Sequence, residues 1–281
     1  MKKILVAFDG LKFSGSTRDY GIAVAKQNEA CLVGVFLEDQ AYHSYSLYDL
    51  ITKEGGGLHT KKRHLEKKDE KTRAAAVLNF EKACMSAGLN FIVHKDRFNA
   101  IDDLLKESLY TDLLLIDYSE SMVNHPQKLP TRFIHELLPG VQCPVMLVPP
   151  RYRPIDKLIL LFDGSPSSVF AIKMLCYTLP AYGQYPVEIV TVNSTNELQH
   201  WPDNRLLKEF MNRHLPQVRY TALKGFPETE VVELLKYEKN VPLVVLGAYN
   251  RGKVSRWIRE SMADVLMREL ELPLFIAHAG R

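Results

Sequence analysis

The sequence predicts an α/β protein made of two consecutive copies of one domain, each with a doubly wound, five-stranded parallel sheet. Apolar runs of strand length recur in the same order in both halves of the chain. The first pair of runs, Ile4–Gly10 and Leu158–Gly164, ends in Asp-Gly each time. Two later pairs match as well: Leu113–Asp117 with Leu243–Gly247, and Cys143–Val148 with Leu272–Ala277. The chain therefore carries a duplicated domain, and a functional site has to be sought in each copy separately.

A chain of 281 residues is long enough for two domains with a core each. Residues 149–154 contain three prolines and two arginines, which cannot continue a sheet and are typical of a short, stiff linker. We therefore predict domains at 1–149 and 155–281.

In the first copy, runs rich in valine, leucine, isoleucine and phenylalanine predict the strands. They are Ile4–Phe8, Cys31–Phe36, Phe91–His94, Leu113–Ile116 and Val145–Val148. The offset between the copies falls from 154 residues at Ile4 and Leu158 to 130 at Leu113 and Leu243, so about 24 extra residues lie in the first copy. We place this insertion after the second strand, at about 40–66.

In the second copy, strands and helices alternate. The predicted strands are Leu158–Phe162, Val187–Val192, Val218–Ala222, Leu243–Gly247 and Leu274–Ala277. The predicted helices are Ser167–Leu179, Asn204–His214, Glu228–Glu238 and Trp257–Arg268. The first of these helices follows a Ser-Pro-Ser-Ser sequence, which suits a helix start.

Nearly continuous apolar strands that alternate with helices indicate a parallel sheet covered on both faces. Right-handed crossovers leave few topologies open, and the simplest one begins in the middle of the sheet and winds outward in both directions. A crevice then opens above the carboxyl ends of the first and fourth strands. We expect any small-molecule site to lie in that crevice.

The composition excludes several classes of protein. A net charge of +3 gives no reason to expect binding to nucleic acid or to an anionic membrane. No apolar stretch has the roughly 18 residues of a spanning helix, and no secretory signal is present, so we expect a cytoplasmic protein. The four cysteines and the histidines lack the spacing of a disulfide framework or a zinc site. We therefore predict no metal site.

The insertion contains three distinctive features. Gly55–Gly57 lacks the Gly-Lys-Ser/Thr ending of a phosphate-binding loop and predicts a flexible loop. The stretch from Lys61 to Arg73 mixes bases with acids, which suits a solvated helix. Tyrosines at 42, 45 and 48 recur every three residues and are expected to pack on the domain or on a partner.

Phosphate-binding chemistry is concentrated in the segment Gly247–Ser261. It leaves the fourth strand of the second copy at the crevice and leads into a helix. It begins with a glycine, where backbone can approach a ligand closely, and it gathers arginines and lysines, among them Arg251 and Lys253. Backbone amides, cations and a hydroxyl are what a polyphosphate requires, although a basic surface loop would have the same composition.

These features together resemble the universal stress protein family in its tandem, two-domain form. The resemblance is carried by Ile4–Gly10, by its repeat with the following Ser165–Ser168, by Gly247–Ser261 and by Leu272–Ile276. It covers essentially the whole chain. It implies the strand order 3-2-1-4-5, an adenine nucleotide alpha-hydrolase-like fold, a role in surviving stress and, in one branch of the family, ATP in the crevice.

The nucleotide-binding branch has a glycine, two residues, a second glycine, nine residues, and a third glycine followed by Ser or Thr. Here Gly247 and Ser261 match, but Asn250 and Glu260 replace the second and third glycines. Asparagine tolerates the left-handed backbone that glycine supplies, whereas Glu260 adds a negative charge. The resemblance therefore implies a degenerate site.

By the resemblance, that site contains Asp163 near the adenine or ribose, Gly247 and Asn250 at the phosphate entry, Arg251 and Lys253 as cations, and Ser261 on a phosphate oxygen. Gly164 and Val192 complete the implied nucleotide-binding residues. The implied ligand is ATP, AMP or another adenine nucleotide, with Mg²⁺ if it is a triphosphate. In the first copy, Asp117 takes the place of Gly247, and the acids and missing glycines that follow it predict no nucleotide there.

We therefore expect a cytoplasmic stress-response module that binds or signals and has no catalytic residues. Two alternatives remain: a slow ATP hydrolase, and a scaffold that acts through dimerisation and partner binding. The last strand of each copy is an edge that can pair with its counterpart, so we also expect self-association. Pairing between Val145–Val148 and Leu274–Ala277 would make the chain an internal pseudo-dimer, whereas without it the two sheets stay separate.

Overall fold

A computed structural model describes residues 2–38, 42–45, 58–96, 99–193, 204–247 and 261–278. The first half contains the strands β1 (Lys3–Asp9), β2 (Cys31–Leu37), β3 (Phe91–Asp96), β4 (Leu113–Asp117) and β5 (Val145–Val148). Its helices are α1 (Gly15–Gln27), α2 (Leu58–Ser86), α3 (Ala100–Ser108) and α4 (Arg132–Leu137).

The second half repeats this order. Its strands are β6 (Lys157–Leu161), β7 (Val187–Asn193), β8 (Val218–Lys224), β9 (Pro242–Leu246) and β10 (Leu274–Ile276). Its α-helices are α5 (Pro166–Thr178), α6 (Asn204–His214), α7 (Pro227–Lys236) and α8 (Met262–Glu269), and a short 3₁₀ helix, Pro180–Gln184, follows α5. Every strand that the apolar runs predict is present, with bounds that differ by at most two residues.

The ten strands lie in the order β3-β2-β1-β4-β5-β10-β9-β6-β7-β8. Each half therefore has the predicted order 3-2-1-4-5, with its neighbouring strands parallel. Of the two possibilities left open for the last strands, the pairing is present: β5 and β10 pair antiparallel, so the two five-stranded sheets form one continuous sheet and are not separate. In that pair Phe275 lies opposite Met146, and both side chains are fully buried.

The long helix α2 confirms the helix predicted for the charged stretch Lys61–Arg73. It spans 29 residues, whereas its counterpart α6 spans 11. Part of the extra length of the first copy is therefore the beginning of one continuous helix, from Leu58 onward. Its far end carries the buried side chains of Phe80 and Cys84, which hold the helix on the sheet. Gly55–Gly57 and Tyr48 lie outside the described residues.

Apolar side chains from alternate strand positions form one core on each face of the sheet. Phe8 and Phe36 stack with their ring centroids 5.1 Å apart, and Phe80 of α2 meets both rings edge-on. Both cores contain residues of both halves, because the sheet is continuous across the β5–β10 pair.

Polar contacts near the linker also join the halves. Lys2 Nζ donates to the carbonyl oxygens of Tyr177 and, at 2.5 Å, of Thr178, at the carboxyl end of α5. A cation is favourable at that end of a helix. The backbone N–H of Arg153, in the linker, donates to the hydroxyl of Tyr20 on α1.

The cysteines are free thiols, as predicted. Burial raises the pKa of Cys84 to about 11 and that of Cys143 to about 12, so neither forms a reactive thiolate near neutral pH. Among the described residues, no group of three or more histidine, cysteine, aspartate or glutamate side chains is arranged to hold a metal ion. Within the same ranges no helix combines the length and the apolar character that crossing a bilayer requires.

Candidate functional site

The crevice of the second half lies where β6 and β9 end. Asp163 follows β6, Ser165 caps the amino end of α5, Gly247 follows β9, and Ser261 caps the amino end of α8. Strands β6 and β9 are neighbours in the sheet, so these residues meet at the same edge of the sheet, as the sequence predicts. Two helix amino ends therefore face one crevice, and each carries a serine.

Asp163 is exposed, and its carboxylate is held by the turn that follows it. Its Oδ1 accepts a hydrogen bond from the backbone N–H of Ser165 at 2.9 Å. Desolvation works against ionisation, but hydrogen bonds from Ser165 and Ser168 outweigh it and lower the pKa of Asp163. Gly164 adopts a φ of +76°, which explains why glycine follows the aspartate. The carboxylate is therefore ionised at neutral pH.

Gly247 is required by its contact with α5. A Cβ atom at this position would fall within clash distance of the carbonyl group of Ser167 and 2.5 Å from its Oγ. The prediction that backbone approaches closely here is consistent with this contact, but the closest neighbour is the first turn of a helix. Ser167 Oγ is itself buried and has no hydrogen-bond partner among the residues that the structure describes, which end at Gly247 on this side of the crevice. Such a hydroxyl is unusual in a folded protein.

Ser261 serves α8 as the N-cap in a capping box. Its Oγ accepts from the backbone N–H of Ala263 at 3.3 Å, and its own N–H donates to Asp264 Oδ2 at 3.2 Å. The hydroxyl keeps its proton to donate to a ligand. The Asp264 carboxylate, which sequence reasoning missed, adds a negative charge at the same helix end.

The remaining predicted site residues are only partly covered by the structure. Val192 lies near the carboxyl end of β7, partly buried, and packs on the core. Asn250, Arg251 and Lys253 lie outside the described residues.

The crevice of the first half is filled by the chain itself. Tyr42, from the beginning of the insertion, is buried, and its hydroxyl donates to Asp9 Oδ2 at 2.7 Å. Asp9 is the counterpart of Asp163, and its Oδ1 accepts from the N–H of Leu11 at 2.7 Å. This packing of Tyr42 on its own domain is one of the two roles predicted from the tyrosine spacing. Its hydrogen bond to Asp9 was not foreseen.

Two further carboxylates are buried beside Asp9. Asp117 Oδ2 accepts from the hydroxyl of Ser14, the N-cap of α1, at 2.9 Å. Glu120 Oε1 accepts from the backbone N–H groups of Ser121 and Met122 at 2.8 and 3.1 Å. Sequence reasoning noted acids at this rim, but their burial depends on the course of the loop after β4.

The environment of these acids shifts their proton equilibria. Burial and the charges of Asp9 and Asp117 raise the pKa of Glu120 to about 7, although two backbone amides act in the opposite direction. Burial and the neighbouring Asp9 also raise the pKa of Tyr42, which therefore stays protonated and donates to Asp9. Within the described ranges, none of the three carboxylates forms an ion pair with lysine or arginine.

Comparison with known proteins shows that the chain is similar to universal stress proteins along almost its whole length. The chain is 20% identical to a universal stress protein of Synechocystis sp., over 98% of this chain and 99% of that one. A crystal structure of a universal stress protein from Archaeoglobus fulgidus superposes with a TM-score of 0.70, at 14% identity, and covers 99% of this chain and 98% of that chain. The crystal structure of a candidate universal stress protein from Pseudomonas aeruginosa superposes with a TM-score of 0.59, at 11% identity. The match covers 98% of this chain and 92% of that chain. No family model matches the chain.

These similarities confirm the predicted resemblance to the universal stress protein family in its tandem, two-domain form. The two solved structures establish the fold, and the Synechocystis relative adds similarity in sequence along the whole chain.

Proposed function

We propose that the protein is a cytoplasmic stress-response module that binds a small phosphorylated ligand of the adenine nucleotide class in the second crevice. The observation that supports this most is the buried, unpartnered hydroxyl of Ser167 next to Gly247. A hydroxyl and free amides at the amino end of a helix form an anion-binding arrangement. Two such helix ends, those of α5 and α8, border the same crevice.

In this proposal Ser167 and Ser261 donate to phosphate oxygens, and the ionised Asp163 accepts from the ribose or adenine. Arg251 and Lys253 supply positive charge, Gly164, Val192 and Asn250 line the pocket, and a triphosphate brings Mg²⁺ with it. Asp264 places a carboxylate at the amino end of α8, so each additional phosphate meets repulsion there. We therefore propose that AMP binds at least as tightly as ATP.

The first half has a structural or partner-binding role in this proposal. Its crevice holds Tyr42 and three buried carboxylates, which leave neither space nor favourable charge for phosphate. Domain boundaries at 149 and 155 fit the linker between β5 and β6. Association of further subunits also remains a proposal.

Saturation binding of labelled ATP, ADP and AMP to the full chain tests the proposed function. We expect Ser167→Ala and Ser261→Ala to weaken binding, and Asp264→Asn to tighten ATP binding more than AMP binding. Ser14→Ala, which removes a serine hydroxyl from the helix amino end at the first crevice, is the control and leaves binding unchanged. Replacing Asn250 and Glu260 together by glycine should tighten binding further.

The outcomes separate the proposal from its alternatives. Absence of binding below about 1 mM, which corresponds to only about 4 kcal/mol, favours the scaffold, for which the covered first crevice and the β5–β10 pair already provide a framework. Release of phosphate on turnover favours the slow hydrolase. Equal loss of binding in Ser14→Ala and Ser167→Ala contradicts the location of the site.

A further inference from the structure

The short segment 42–45 covers the first crevice and is held from two sides. On the sheet side, the hydroxyl of Tyr42 donates to Asp9, and Lys12 Nζ lies 5.9 Å from the centre of the Tyr42 ring. On the helix side, Arg73 Nη2 of α2 donates to the carbonyl oxygen of Tyr42 at 3.2 Å. Segment 42–45 thus connects the carboxyl end of β1 to α2 through specific side-chain contacts.

A second anchor ties the same segment to α2. The N–H of Ser44 donates to Asp69 Oδ2 at 3.1 Å, and the hydroxyl of Ser44 donates to Asp69 Oδ1. Asp69 is 1% exposed although it stands in a charged stretch of the helix. The amino-terminal part of α2 and segment 42–45 therefore have to move together.

Glu120 is buried, lies close enough to Tyr42 and Asp9 to interact with them electrostatically, and stabilises an unfavourable turn. Met122 has a φ of +50°, which is uncommon for a residue with a side chain. The side chain of Glu120 accepts from the N–H of Met122 and of Ser121, and the hydroxyl of Thr131 donates to the carbonyl oxygen of Glu120. The loop after β4 is thereby fixed against the covered carboxylates.

We propose that segment 42–45 is a built-in cover of the first crevice that stays closed while Glu120 carries a proton and is released when Glu120 ionises. This goes beyond the ligand site proposed for the second half and does not depend on it.

The reason is electrostatic. With Glu120 neutral, the covered crevice holds the charges of Asp9 and Asp117, each satisfied by hydroxyl and amide donors. A third negative charge in the same low-dielectric space is strongly unfavourable, and water entry relieves it. The charged and titratable groups around Glu120 and the cover are Asp9 on β1, Asp117 on β4, Lys12 in the loop after β1, Arg73 on α2, and Tyr42 and His43 on the cover itself, where His43 Nδ1 lies 3.9 Å from Asp69 Oδ2. Among the described residues, neither Lys12 nor Arg73 forms an ion pair with Asp9, Asp117 or Glu120, so a charge on Glu120 is not neutralised there.

Hydrogen–deuterium exchange of the full chain between pH 5.5 and 8.5, corrected for the intrinsic exchange rate, tests the proposal. In peptides covering 42–45 and 61–73 we expect protection to fall by up to about tenfold per pH unit as pH rises toward about 7, because opening releases the proton of Glu120 in this range. Above about pH 7 Glu120 has lost its proton before opening, so protection levels off. Glu120→Gln, a neutral isostere, should keep protection constant at every pH. Glu70→Gln, which changes an exposed acid of α2, is the matched control and behaves like the wild type.

Constant protection in the wild type, or the same pH-dependent loss in Glu120→Gln, overturns the proposal. Should Glu120→Gln fail to fold, Asp117→Asn replaces it as the test. Removing the charge of Asp117 lowers the pKa of Glu120, so protection should level off at a lower pH than in the wild type. An unchanged levelling pH again overturns the proposal.

Discussion

The two halves share one topology but differ at both ends of their strands. At the carboxyl ends, the first crevice is filled by Tyr42 and by buried acids, whereas the second is bordered by Gly247 and by serine-capped helices. At the amino ends, both halves pair a lysine of the first strand with glutamate, but with different burial. Duplication thus preserved the sheet, and the chemistry diverged wherever loops decide what lies above it.

The amino ends of β1 and β6 give the largest expected contrast. Lys157 Nζ lies 2.7 Å from Glu188 Oε2 and 2.6 Å from Glu238 Oε2, and its side chain is 14% exposed. Lys157→Met removes the cation that lies between the two carboxylates and leaves the buried Glu188 with only the exposed Arg219, 3.9 Å away, so we expect a loss of about 3 kcal/mol in the free energy of unfolding. Urea unfolding followed by circular dichroism measures it.

Lys3→Met is the matched control in the first half. Lys3 is 31% exposed, its Nζ lies 3.0 Å from Glu107 Oε2, and Glu107 keeps its contact with His94 Nδ1 at 2.6 Å. We expect a loss of about 1 kcal/mol. Equal losses in the two variants would show that the burial of the ion pair does not distinguish the halves.

The buried acid of the first crevice gives the next largest effect, and it depends on pH. The pKa of Glu120 rises from its ordinary 4.5 to about 7 on folding, so between these values the folded chain holds a proton that the unfolded chain has lost. Stability therefore falls as pH rises through this interval. Glu120→Gln removes this loss, and we expect it to stabilise the protein by about 3 kcal/mol at pH 8 and by little at pH 4.5.

Unfolding of the wild type and Glu120→Gln across pH 4.5 to 8 checks this sign. Asp163→Asn, in the second half, is the contrasting variant. The folded-state pKa of Asp163 is lowered, so its contribution is present at neutral pH and is lost only as pH falls through that lowered pKa. If Glu120→Gln stabilises the protein equally at pH 4.5 and pH 8, the raised pKa of Glu120 is not the cause of the gain.

Gly247 gives an intermediate effect. Gly247→Ala places a methyl group against the carbonyl of Ser167, so β9 or α5 has to shift, at a cost of about 1 to 3 kcal/mol. Gly15→Ala is the control, because the nearest atom to its Cβ is Arg18 Nη2 at 4.0 Å, and alanine favours the helix by up to about 1 kcal/mol. Urea unfolding distinguishes the two variants. If Gly247→Ala is as stable as the wild type, the predicted clash with Ser167 is contradicted.

The sequence predicts the sheet well because its strands are long apolar runs buried on both faces, which leave little choice of structure. The Asp-Gly turn of the second half is also predictable, since Gly164 needs a positive φ. Where side chains meet across loops, prediction fails. Tyr42 reaches Asp9 and Ser14 reaches Asp117 over 33 and 103 residues, and no local pattern encodes either contact.

The candidate site was predictable in position but less so in detail. The crevice follows from the strand order, and Ser165 caps α5 in the predicted Ser-Pro-Ser-Ser start, whereas Ser261, expected inside a helix over Trp257–Arg268, is the N-cap of α8. The orphan hydroxyl of Ser167 and the charge of Asp264 were missed, although a Ser followed three residues later by Asp is a local signal for a capping box at Ser261. The burial of Glu120 depends on tertiary structure alone.

The N-caps of α4 and α8 give the smallest contrast between the halves. Ser261→Ala removes the hydroxyl that accepts from Ala263, and we expect a loss of about 1 kcal/mol. Thr131, at the corresponding position, accepts from the N–H of Ile134 at 3.3 Å and also donates to the buried carbonyl of Glu120. Thr131→Ala removes the cap and leaves a buried carbonyl acceptor unpaired. We therefore expect it to lower the free energy of unfolding by about 2 kcal/mol. Thr131→Ser restores both bonds and most of the stability. If Thr131→Ala loses no more stability than Ser261→Ala, the hydrogen bond from Thr131 to the carbonyl of Glu120 does not stabilise the loop after β4. The two caps would then be equivalent, although the crevices beside them differ.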